Sequence, residues 1–216
     1  MRFKKEYLLL YAVTDRAPSA DADLYDQVEK ALRGGVTCVQ LREKCMDEGE
    51  LINEAVKLRK LCHRYGVPLI INDNLNVALE SGADGVHVGQ EDMDAGRIRE
   101  LTGEGFIIGV TAKTVAQAEK AQSDGADYIG TGAVFPSSTK KNAVRITKEQ
   151  LKNICGSVDI PAVAIGGINL SNMGEMKGCG MSGFAVASAV FAAEDIVEEA
   201  RRLKAQALCT VTGNGG

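Results

Sequence analysis

Short apolar runs and stretches of helical spacing take strict turns along almost the whole of this chain, and no other feature narrows the fold so far. Strand candidates fall at Leu8 to Val13, 38–44, Leu69 to Ile71, Val86 to Val88, Phe106 to Val110, Tyr128 to Gly130, 161–167 and 183–188. Helical patterns fill 23–33, 47–65, 74–82, 94–103, 114–125, 147–154 and 170–177, and a last helix runs from Ala192 to Leu208. Eight strand-helix pairs result. Such units lay their strands parallel through right-handed crossovers, so the C-terminal strand ends collect on one side of the sheet. ALESGADGVHVG, AQSDGADYIGTG and MKGCGMSGFAVA repeat one order: helix end, glycine-rich turn, apolar strand. Strict alternation over 8–208 fits an α/β chain closed as a (β/α)8 TIM barrel. An open doubly wound sheet would carry G-x-G-x-x-G after its first strand, and that fingerprint is missing.

With 216 residues and 45% hydrophobic content, the chain can bury the core of one such barrel. We expect a single domain over 1–216, with its core at about 8–208 and a frayed VTGNGG end. No run approaches the roughly 20 apolar residues of a membrane span, and MRFKKEYLLLYAVTD lacks the apolar core and cleavage site of a signal peptide. A soluble, cytoplasmic protein that binds no membrane is the expectation. The cysteines at 38, 45, 62, 155, 179 and 209 form no C-x-x-C pair, which argues against a zinc or redox motif. A net charge of −4 without a basic, aromatic-rich run excludes general attraction for nucleic acid.

The polar residues at the C-terminal strand ends read together as a site. Asp73 follows the third strand and Asp92 the fourth, which would make them neighbours. Two carboxylates on one sheet edge suit Mg²⁺, a hard cation that usually shares its oxygen ligands with substrate phosphates. The competing reading is that each caps the helix that follows. In CVQLREK, Gln40, Arg42 and Lys44 are spaced by two, so in an extended strand they share one face as a cationic fork suited to phosphate. A solvated edge strand shows the same spacing. Asn72, Gln90 and Thr111 end other strands, and Ser137, Ser138, Thr139 and Lys140 lie in the loop after the sixth. Gly166, Gly167, Ala187 and Ser188 follow strands seven and eight, where barrels often seat a phosphate on backbone N–H groups. A side chain at Gly167 is therefore expected to block that approach. The chain has two histidines, His63 and His87, and the second falls inside a strand, as a satisfied barrel histidine would. No nucleophile has a base beside it, so catalysis by charge and positioning is expected.

At these residues the chain resembles the thiamine-phosphate synthase family. The likeness runs through YAVTD (Tyr11 to Asp15), QLREK (Gln40 to Lys44), IND (Ile71 to Asp73) and GVHVGQED (Gly85 to Asp92). It continues in GVTA (109–112), FPSSTKK (Phe135 to Lys141), AIGGI (164–168) and AVAS (185–188). The resemblance implies that a hydroxymethylpyrimidine diphosphate is joined to a thiazole phosphate, giving thiamine phosphate and pyrophosphate. It implies a Mg²⁺ cofactor on Asp73 and Asp92. It implies a pyrimidine diphosphate site at Gln40, Leu41, Arg42, Glu43, Lys44, Asn72, Thr111 and Lys140, of which Arg42, Lys44 and Lys140 would stabilise the leaving group. Ser137, Ser138, Thr139, Gly167, Ala187 and Ser188 match the thiazole phosphate site. Lys113 stands where the family pattern has His, Ala133 where it has Pro, and Ala187 where it has a larger branched residue. Partners would be small molecules, and a homo-oligomer stays open. Two other readings compete: a thiazole tautomerase of the same barrel, which needs neither the Asp pair nor the full TKK loop, and a non-catalytic barrel that binds thiamine phosphates.

Overall fold

The strands are short and buried on both faces, as parallel strands between helices must be. They are β1 (Leu10–Val13), β2 (Cys38–Leu41), β3 (Leu69–Asn72), β4 (Gly85–Val88), β5 (Ile107–Thr111), β6 (Tyr128–Gly132), β7 (Ala162–Ile165) and β8 (Gly183–Val186). In this computed structural model, which describes residues 1–14, 23–136 and 145–213, each strand pairs in parallel with the next. β8 returns to β1 through Leu10–Phe184, Tyr11–Ala185 and Ala12–Val186, closing the barrel. The helices are α1 (Leu24–Gly34), α2 (Glu48–Arg64), α3 (Leu75–Ser81), α4 (Ala95–Thr102), α5 (Val115–Ser123), α6 (Lys148–Gly156), α7 (Ser188–Phe191) and α8 (Ile196–Thr212). The expected barrel is therefore present.

Alternation along each strand divides the core in two. One set, including Tyr11, Val13, Cys38, Ile70, Ile107, Tyr128 and Val163, fills the barrel interior. The other, including Val39, Leu41, Ile71, Val86, Ile108 and Ile129, packs outward beneath the helices. Helix starts are set by side-chain caps: Asp23, Asp47, Asn74, Asp94, Thr114, Thr147 and Asp195 each accept a first-turn N–H.

Several boundaries differ from the expectation, among them the second strand, which stops at Leu41 instead of running to 44. Leu8 closes a 3-10 turn, Lys5–Leu8, ahead of β1. The seventh crossover carries only a 3-10 turn, Met173–Met176. The run 183–188 splits, since β8 stops at Val186 and Ser188 opens α7. The last helix begins at Ile196 and reaches Thr212, so Val211 and Thr212 are helical rather than frayed.

At the N-terminal end of the barrel, Asp84 is buried and gathers several donors. Burial alone would raise its carboxyl pKa, but the Met1 amino group at 2.6 Å, the Leu69 N–H at 2.9 Å and His63 Nε2 at 2.9 Å outweigh burial and hold it below its ordinary value. A carboxylate depressed by folding contributes stability above its unfolded pKa and loses it as pH falls through the folded value. Asp84→Asn is expected to cost about 1–3 kcal/mol at neutral pH, with the gap to the parent closing in acid below the ordinary carboxylate range. Melting temperatures of both proteins across pH measure this.

Candidate active site

Asn74 caps α3 by accepting from Val77 N at 3.0 Å, and Asp94 caps α4 by accepting from Gly96 N at 3.0 Å. Neither Asp73 nor Asp92 is therefore spent on a helix start. Asp73 sits at φ 60, the only non-glycine residue at positive φ among the described residues, where its N–H donates to the His87 carbonyl at 2.8 Å. That turn carries its carboxylate out of the ladder toward Asp92. Burial and the charge and hydrogen bond of Asp92 raise the Asp73 pKa, and the Asn72 amide, donating at 2.6 Å, and the nearby Lys44 ammonium only partly offset the rise. Asp92 Oδ2 accepts from Gly89 N at 2.7 Å, which fixes it after β4. Two carboxylates pressed together repel unless a proton or a cation lies between them. Among the described residues no group of three or more His, Cys, Asp and Glu gathers. The donor set of two acids fits Mg²⁺, which keeps waters and phosphate oxygens as its remaining ligands.

The cationic stretch differs from the expected extended fork. β2 ends at Leu41, and Gln40 alone of the three points into the barrel, buried. The Arg42 N–H donates to Thr14 Oγ1 at 2.9 Å, and that hydroxyl lies 3.3 Å from both the Arg42 carbonyl and Glu43 Oε1. With the Arg42 N–H on the Thr14 hydroxyl, the strand stops, and Arg42, Glu43 and Lys44 follow its C-terminal end, the first two half-buried and Lys44 exposed. In the sequence Thr14 stands only within the YAVTD motif, with no role of its own assigned. Leu41 packs outward under the helices and has only main-chain groups to offer a ligand.

Behind the mouth, hydrogen bonds cross the barrel interior. Gln40 Nε2 donates to Tyr11 Oη at 2.8 Å, and Tyr11 and Tyr128 hydroxyls lie 2.8 Å apart. His87 spans Tyr128 Oη at 3.1 Å and Thr111 Oγ1 at 3.0 Å. Burial pulls the His87 pKa down to about 4, against a small opposing pull from Asp92, so the imidazole is neutral at pH 7. It is the satisfied barrel histidine expected. Gln90 Nε2 donates to the Thr111 carbonyl at 2.6 Å, tying the β4 and β5 ends together.

After β7, Gly166 and Gly167 both have positive φ. A Cβ on Gly167 would run into the Pro136 carbonyl and come 2.9 Å from Phe135, so the chain itself fills that direction. The expected block to ligand approach is joined by a clash within the chain: Gly167→Val should also lower stability by about 2 kcal/mol or more, read from a thermal melt. Ala187 precedes the single turn of α7, and Ser188 opens it. Ser137, Ser138, Thr139 and Lys140 lie outside the described residues.

Fold and mouth together define a (β/α)8-barrel protein whose strand ends present paired carboxylates beside cations. The thiamine monophosphate synthase family model matches residues 10–190, and the chain belongs to that family. It is 46% identical over 192 residues to the thiamine-phosphate synthase of Clostridium acetobutylicum, covering 89% of this chain and 91% of that one. It is 47% identical over 207 residues to a probable thiamine biosynthetic bifunctional enzyme of rice, covering 94% of this chain and 38% of that longer one. The solved thiamine phosphate pyrophosphorylase of Pyrococcus furiosus superposes with TM-score 0.87 at 36% identity, over 96% of this chain and 98% of that one. No helix of the described residues is long and apolar enough to cross a membrane.

Proposed function

We propose that this chain is a thiamine-phosphate synthase. It joins 4-amino-2-methyl-5-hydroxymethylpyrimidine diphosphate to a thiazole phosphate, releasing thiamine phosphate and pyrophosphate. The observation that carries the reading is the Asp73–Asp92 contact at the barrel mouth, with both acids free of capping duty. A tautomerase would leave that contact unused.

Asp73 and Asp92 would hold Mg²⁺, which when bound neutralises diphosphate charge and favours its departure. Arg42, Lys44 and Lys140 supply further positive charge to the leaving pyrophosphate. Gln40, Asn72 and Thr111 orient the pyrimidine diphosphate, with main-chain groups of Leu41 and Glu43 beside them. Ser137, Ser138, Thr139, Gly167, Ala187 and Ser188 hold the thiazole phosphate. No imidazole serves as a base: His87 is neutral and engaged at both nitrogens, and His63 is paired with Asp84 at the opposite end. None is needed. The C–O bond breaks with its electron pair leaving on pyrophosphate, and the thiazole nitrogen adds its lone pair to the pyrimidine methyl carbon without losing a proton. The ring amino group stabilises the cation between the two events.

The setting is cytoplasmic, as the free thiols of all six cysteines favour. Calorimetric titration with inorganic pyrophosphate tests the metal seat. Binding should be at least about tenfold tighter with Mg²⁺ than without it. Equal affinity in both conditions would remove the basis for the assignment.

A further inference from the structure

Asp73 reaches Asp92 through a three-residue turn. The Asn74 N–H donates back to the Asn72 carbonyl at 2.7 Å across Asp73 at φ 60, the strained form of the γ-turn. Such a conformation persists only where its surroundings hold it. On one side β3 does so, together with the bond from the Asp73 N–H to the His87 carbonyl. On the other side stands α3, which with 7 residues is too short to hold its own first turn.

Glu48 holds that second side. It lies in the first turn of α2, and its carboxylate accepts from Asn76 Nδ2 at 2.6 Å and from Asn74 Nδ2 at 3.2 Å. Asn74 is both the last residue of the turn and the cap of α3, taking the Val77 N–H on its Oδ1 at 3.0 Å. Its amide is thus fixed through oxygen and nitrogen together. α2 does not need Glu48 for its own start, because Asp47 caps it by accepting from Glu50 N at 3.0 Å. Nor is Glu48 a third metal ligand, since among the described residues no group of three or more His, Cys, Asp and Glu gathers. The connection 42–47 just before it carries Arg42 and Lys44, and Lys44 is close enough for its charge to act on Asp73. One carboxylate therefore ties the cationic connection after β2 to the turn after β3.

We infer that Glu48 is a positioning residue whose two bonds hold the Asp73 turn, keeping the metal seat in register with the cations after β2. The metal seat belongs to the function proposed above; the hold of Glu48 on the turn does not depend on it. Without Glu48 the start of α3 loosens, the turn relaxes toward ordinary φ, and the Asp73 carboxylate spends less time facing Asp92. Both bonds are open to solvent, so a several-fold effect is expected rather than a complete loss.

Two measurements test this on the parent, Glu48→Ala, Glu48→Gln and the double variant Asn74→Ser with Asn76→Ala. Serine at 74 keeps a capping oxygen while removing the amide. Glu48 is exposed, so the variants should fold, with circular dichroism as the control. The first measurement is amide hydrogen exchange without metal. Exchange at Asp73 and Asn74 should be about fivefold or more faster in Glu48→Ala and in the double variant, with the β4 amides unchanged. Equal exchange at Asp73 and Asn74 in parent and Glu48→Ala overturns the inference. The second measurement is calorimetric titration with inorganic pyrophosphate, with and without Mg²⁺. The gain in affinity that Mg²⁺ brings should fall about threefold or more in Glu48→Ala and less in Glu48→Gln, which keeps one acceptor oxygen, while metal-free affinity stays as in the parent. If Mg²⁺ helps the parent and Glu48→Ala keeps the full gain, the inference is overturned, whatever the melting temperature. A parent that binds pyrophosphate equally in both conditions, with exchange at Asp73 still faster in Glu48→Ala, contradicts the metal reading while supporting the hold on the turn.

Discussion

Asp73→Asn and Asp92→Asn are each expected to lower turnover by about 10² or more, the scale of losing one preorganised electrostatic element. The direction follows from the crowding that raises the Asp73 pKa: each acid is held where the other penalises it, and a divalent cation converts that penalty into binding. Folding should survive, because α3 and α4 keep their caps on Asn74 and Asp94. Both variants should need more Mg²⁺ to reach their reduced maximum. Steady-state rates across a Mg²⁺ titration, with circular dichroism as the folding control, check this. Near-normal activity of both variants at limiting Mg²⁺ would contradict the metal assignment.

A second large effect is expected from the substrate rather than the protein. If the C–O bond breaks before the thiazole adds, a strongly electron-withdrawing group on the pyrimidine ring destabilises the cation and should slow the chemical step by about 10² or more, each tenfold being 1.36 kcal/mol of barrier. Single-turnover rates at saturating substrate isolate that step. Lys140→Ala should lower the same rate more than it weakens substrate binding. An electron-poor pyrimidine diphosphate that reacts as fast as the natural one, with chemistry rate-limiting, would mean direct displacement by the thiazole nitrogen.

The barrel was legible because its signals are local and repeated. Each strand is an apolar run closed by a polar residue, and most helices begin on an Asp, Asn or Thr that can be read directly. The pairing of Asp73 with Asp92 followed from topology alone, since parallel strands bring their ends to one edge. What topology could not say was which acid caps a helix, because Asp73 and Asn74, like Asp92 and Asp94, are near neighbours with similar chemistry. Only the positive φ at Asp73 and the two cap bonds separate the roles. The fork at Gln40, Arg42 and Lys44 was misread for a related reason: period-two spacing implies a shared face only while the strand lasts, and Thr14 ends it after Leu41. The bonds inside the barrel have no trace in the sequence. Tyr128 meets Tyr11 and His87, which in turn meet Gln40 and Thr111, and these four lie on four other strands; no spacing within one segment records a bond across a barrel.

The most direct measurement combines both substrates with Mg²⁺ and follows pyrophosphate and thiamine phosphate together. Equal amounts of the two should appear, only when both substrates are present and only with the metal. Pyrophosphate released without the thiazole phosphate at the same rate, or no coupled product from a folded protein that binds both ligands, would contradict a thiamine-phosphate synthase and leave a hydrolase or a binding protein in its place.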